Sequence, residues 1–158
     1  MARDAVERLE ALLRRSFDGE NTQSLIGNLA NVRADDWDRV PANGERSIRR
    51  IFEHAAIAKH IYTKFLFSGE RPAWSEVAAQ RPADIDALVA WAREGHAAFM
   101  AGMSGLQDGD LATMTTKWHG ATDTTAEVIS VMIQHDCYHA GEINHIRAIL
   151  QVDDGSPL

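Results

Sequence analysis

The chain is poor in the features that announce most familiar functions. One cysteine, Cys137, among 158 residues excludes an internal disulfide framework and suits a reducing compartment. Basic residues are outnumbered, 16 against 23 acids, giving a formal charge of -7 and a pI near 5.4. A phosphate backbone demands clustered Lys and Arg, so no nucleic-acid partner is expected. The one short basic group, Arg46, Arg49 and Arg50, has Glu45 and Glu53 beside it and reads as a solvated helix face. No window approaches the ~18 uninterrupted apolar residues of a membrane span, and the first residues lack the apolar stretch of a signal peptide. The reading is therefore no membrane partner and a cytoplasmic location. Gly-x-Ser-x-Gly, His-Glu-x-x-His, Cys-x-x-Cys and phosphate-cradling loops are missing, which leaves serine hydrolases, zincins, thiol redox proteins and nucleotide enzymes without support. Internal repeats, low-complexity tracts and convincing strand pairs are absent as well.

What is present is helical periodicity. With 45% hydrophobic and 25% charged residues, the chain fits a single domain, residues 1–158, able to bury a working core. Val6, Leu9, Leu12, Leu13 and Phe17 give an amphipathic opening helix that Asp18-Gly19 ends or bends. Ser47 begins a strong helix through Ile48, Ile51, His54, Ala58, Ile61 and Phe65, closed by Gly69 and Pro72. The stretch from Glu70 to Ala83 reads as an irregular loop, after which Asp84 caps a third helix through Leu88, Trp91, Ala92, Phe99 and Met103. Leu111 to Gly120 is Thr-rich and extended, and Thr124 with Glu127 forms a capping box that opens a final helix to about Leu150. Four helices of about 20 residues, each about 30 Å long, predict an all-α four-helix bundle, with a possible extra short helix from Ser24 to about Asn31 between the first two long ones.

On the last helix, Val128, Met132, His135, His139, Ile143, Ile146 and Leu150 follow at steps of three or four, so two histidines stand on the stripe that should face the core. Histidines four apart present both imidazoles to one point. His54, on the Ile51, Ala58, Ile61 stripe of the second long helix, points inward as well. Three neutral imidazoles leave a divalent ion at least one free position, the arrangement of catalytic sites, whereas structural zinc sites are usually closed by four protein ligands. Zinc, nickel and iron all accept imidazole.

The phrase Ser47-Ile48 through Ile51-Phe52-Glu53-His54, followed by His135-Asp136-x-Tyr138-His139-x-Gly141-Glu142-Ile143 and Arg147, resembles the DinB-like family of metal-binding helical bundles. The resemblance runs from the first helix to about Leu150, with its specificity at the second helix and the last. It implies a four-helix bundle, often a homodimer, whose divalent metal is held by His54, His135 and His139. It also implies either of two reactions on a small-molecule substrate, metal-dependent hydrolysis or transfer involving a low-molecular-weight thiol cosubstrate. Between them we lean toward thiol transfer.

Around the triad, Glu142 lies about 20° from His135 on the helical wheel, where a carboxylate would orient an imidazole, accept a proton or complete the coordination sphere. A salt bridge to a neighbouring helix is the plainer reading of it. Asp136, about 100° from His135, would flank the site or pair with an adjacent helix, and Tyr138, about 60° to the other side, would reach a pocket rim or pack. His119, in the loop before the last helix, is a candidate to face substrate. Cys137, about 200° from His135, reads as a packed thiol. His60 and His145 read as lying off the site, His60 toward solvent and His145 bordering a helix contact, and His96, beside Ala92 and Phe99, as staying outside the bundle interior. The competing function is a noncatalytic bundle, stiffened by its metal and used as a dimeric interaction protein. A fourth protein ligand such as Glu142 would mark it.

Overall fold

The computed structural model describes residues 2–19, 23–116 and 122–151. It is an all-α bundle of four long helices: α1 (Asp4–Asp18), α2 (Ile48–Thr63), α4 (Ile85–Ser104) and α5 (Thr125–Gln151), with a short α3 (Trp74–Ala78) between the second and third. Among the described residues, no helix is long and apolar enough to cross a membrane.

Each long helix starts where its sequence supplies an acceptor for unpaired N–H groups. Asp108 takes that role for α1 from a distance, accepting from the Ala5 and Val6 amides at 3.0 and 3.1 Å. Ser47 accepts from the Arg50 amide and Asp84 from the Ala87 amide. Thr124 and Glu127 close the expected capping box, each side chain bonding the other's amide. At its far end α2 widens into a π-helical turn over Lys64–Ser68 and stops at Gly69, whose φ of 69° suits a residue without Cβ.

Helix α2 packs against α4 and α5, and α1 against α5. One core joins Phe17, Leu25, Trp37, Ile48, Phe52, Leu88 and Ile143, and a second gathers Leu13, Phe99, Met103, Ile129 and Met132. The contact of α2 with α4 is close enough that a Cβ on Gly95 would sit 2.9 Å from Nε2 of His60. Leu12, assigned by periodicity to the packed face of α1, is 46% exposed.

Several local expectations change. The short helix from Ser24 is a single 3-10 turn, Gly27–Leu29, because the Ser24 hydroxyl accepts from the Gly27 amide and holds a tighter turn. The segment from Glu70 to Ala83, read as loop, contains α3, whose first turn is held by Glu76 accepting from the Ala73 amide. A strand pair is present after all: β1 (Met114–Thr116) runs antiparallel to β2 (Thr122–Thr124), following a 3-10 turn at Asp108–Ala112. At three residues per strand it is too short to leave a period-2 signature.

Candidate metal centre

The centre lies between α2 and α5. His54 stands two turns into α2, and His135 and His139 lie mid-way along α5, one turn apart and therefore on one face. Nε2 of His135 is 3.2 Å from Nε2 of His54 and 3.1 Å from Nε2 of His139. The three donor nitrogens all fall within 4.8 Å of one another. Two imidazoles on one ion, with metal–nitrogen bonds of about 2.1 Å and angles between right and tetrahedral, have their nitrogens about 3.0–3.4 Å apart. The spacing is that of a coordination polyhedron's edge.

Protons satisfy this cluster poorly. Glu142 Oε2 lies 2.6 Å from Nδ1 of His139, and a carboxylate only accepts, so Nδ1 carries the hydrogen and Nε2 the lone pair. A single hydrogen on His135 Nε2 would have to fork toward two neighbours, while its buried Nδ1 has no partner. A cation at the point of convergence would meet three lone pairs at once. Burial also keeps these rings neutral, as ligands must be. His135 is lowered to about 3, first by desolvation and then by the neighbouring His139 and His54. Desolvation likewise lowers His54, and lowers His139 against the opposing pull of Glu142.

The model of the DinB superfamily matches residues 18–143, a span that includes all three histidines and Glu142. The chain belongs to the DinB superfamily. A search of curated proteins finds no match.

In this DinB-superfamily chain the outer partners of the triad are as well defined as the triad itself. Glu142 uses one oxygen on His139 and the other on Arg46, at 2.5 Å, so both are engaged outside the nitrogen cluster. Arg46, which the sequence reading dismissed as part of a solvated face, is therefore the outermost member of a line running Arg46, Glu142, His139. Nothing at residue 46 signals this, because its partner lies 96 positions away. On the α3 side, Trp74 packs its ring against His54 with centroids 4.9 Å apart. Tyr138 is 61% exposed and sets its ring edge-on to His139 at 5.1 Å.

Of the two settings expected for Asp136, it takes the second: it pairs with an adjacent helix and does not flank the triad. It is fully buried, with Oδ2 2.6 Å from Nζ of the equally buried Lys59 and 3.2 Å from the Ser16 hydroxyl, and none of its hydrogen bonds reaches a histidine. Lys59, also missed from sequence, extends over the Phe17 ring at 5.1 Å. Burial pushes the lysine down and the aspartate up, and their mutual attraction opposes both shifts. Cys137 is exposed, contrary to the packed thiol expected. His60 is not solvent-facing: it stacks on Trp91 at 4.0 Å and its Nε2 is 3.0 Å from the Trp91 carbonyl. His96, read as staying outside the interior, instead reaches inward and stacks on Phe17 at 4.0 Å, while His145 is exposed. His119 falls outside the described residues.

Proposed function

We propose that this protein holds a divalent ion, zinc, nickel or iron, on His54, His135 and His139, and uses it to activate a low-molecular-weight thiol or water for S-transfer or hydrolysis on a small molecule. The supporting observation is the convergence of three Nε2 atoms at 3.1 and 3.2 Å spacing. When bound, such an ion supplies Lewis acidity that turns a weak nucleophile into a strong one near neutral pH.

The chain's own residues support this chemistry in separate ways. Glu142 fixes the tautomer and ring plane of His139, and Arg46 holds the other carboxylate oxygen turned away from the ion's free positions. With both oxygens of Glu142 engaged, the fourth-ligand arrangement that would mark a purely structural ion loses its candidate. A cavity of about 640 Å³ borders His54, a size that accommodates a small organic molecule. Cys137, though exposed, stands outside the cluster of candidate ligands, which supports a diffusible thiol over Cys137 wherever the nucleophile is sulfur.

Elemental analysis of protein purified without an affinity tag tests the reading. Native protein is expected to carry one ion per chain. His54→Ala should lose the ion and, where metal stands at a thousandfold its dissociation constant, about 4 kcal/mol of stability. Unchanged metal content in that variant would refute the assignment.

A further inference from the structure

The cavity beside His54 lies between α2 and α3, and its charged lining is Arg50, Glu53 and Arg81. Two guanidiniums face one carboxylate, a local surplus of positive charge in a chain whose formal charge is -7. Glu53 is 7% exposed, and both arginines approach the same oxygen, Oε2, at 3.3 Å. Charge-assisted pairs normally close to about 2.7–2.9 Å, so neither arginine is saturated. Arg81 gives Nη1 to the Ala78 carbonyl at 2.7 Å. Among the described residues, its Nη2 and the Nε and Nη2 of Arg50 have no partner. The two side chains are 37% and 68% exposed, so a solute can reach them. Opposite them Trp74, Ile57 and Ala78 supply apolar surface.

We propose that this cavity binds the anionic end, a single carboxylate-class group, of the organic molecule that reacts at the triad. Arg50 and Arg81 grip the anion, Glu53 spaces the two guanidiniums, and Trp74 covers the apolar part between the anion and His54. One surplus positive charge calls for one negative charge, and paired guanidiniums recognise a planar carboxylate through several N–H groups at once. The inference rests on the metal-centre reading and adds the class of substrate to it.

The test is an NMR titration of the full-length, zinc-loaded protein, followed on the Trp74 indole N–H, with 3-phenylpropionate and its neutral analogue 3-phenylpropanol. The carboxylate should bind about tenfold or more tightly than the alcohol. Arg50→Gln with Arg81→Gln should bring the two to equal affinity, while Arg50→Lys with Arg81→Lys, which keeps the charge and loses the fork geometry, should retain only part of the preference; zinc content should stay unchanged in each. Equal affinities in the native protein overturn the proposal. So does a preference that survives the double glutamine variant, since the carboxylate would then be bound to the ion itself. Protein that takes up no zinc refutes the metal-centre reading, and the same titration on that protein still decides the cavity.

Discussion

Replacing Asp136 with asparagine should be among the most damaging single changes in this protein. Asp136 and Lys59 have no solvent exposure, and their 2.6 Å contact joins α5 to α2 next to His135 and just over one turn beyond His54. The amide would keep the shape and lose the charge, leaving the ammonium of Lys59 buried against a neutral amide and the Phe17 face at 5.1 Å. Removing one member of such a pair costs about 3–5 kcal/mol, because a buried charge is left uncompensated. At about 2–4 °C per kcal/mol for a domain of this size, the melting temperature should fall by roughly 6–20 °C. Lys59→Met combined with Asp136→Leu removes both charges and should recover most of that loss, since apolar replacements of buried ion pairs are often neutral or stabilising. Urea denaturation of native, single and double variants measures the coupling directly. An Asp136→Asn variant within about 1 kcal/mol of native, or a double variant no better than the single, would refute the account of a buried, mutually dependent pair.

Two further outcomes follow from the site. Glu142→Gln should weaken metal affinity by about 10–100-fold without preventing folding, because His139 loses an anionic partner that holds its ring; competition against a calibrated chelator reads the change, and unaltered affinity would count against the positioning role. In metal-free protein, stability should fall as pH drops below the unfolded histidine value of about 6.5. His135 and His96 are both lowered to about 3, so the unfolded chain binds protons that the folded one refuses. The contribution is fully present above pH 6.5, and each residue should remove about 2 kcal/mol between pH 6.5 and 5. A melting temperature flat over that interval would contradict the burial of these rings.

The triad was legible in sequence because helical periodicity alone aligns His135 with His139 and turns His54 inward, and the structure brings all three together. The same geometry misplaced residues on helices that bury more than one stripe. Helix α5 touches both α1 and α2, so Asp136, a quarter turn from the triad, is sealed between helices and pairs with α2, the second of its two expected settings. Helix α2 buries nearly its full circumference, Ile51 to Glu53 and Ala55 to Ala58 among others, which is why Lys59 is interior and His60 finds Trp91. Wheel angles describe one helix; which angles face protein is decided by how many neighbours surround it. Arg46 and Trp74 were not placed at the site for another reason. Their partners Glu142 and His54 are distant in sequence, and a connecting segment or a five-residue helix carries no periodicity to point at them.

The contact of the Trp74 ring with His54, tilted by 30°, gives the protein a built-in optical reporter. An indole against an imidazole loses emission when that ring gains a proton, and loses it again when an open-shell ion such as nickel sits on the ring's far nitrogen, whereas closed-shell zinc leaves it bright. Its share of the light emitted by the four tryptophans, isolated by comparison with a Trp74→Phe variant, would then distinguish an empty, an acidified and a loaded centre, and would separate zinc from nickel without dismantling the site.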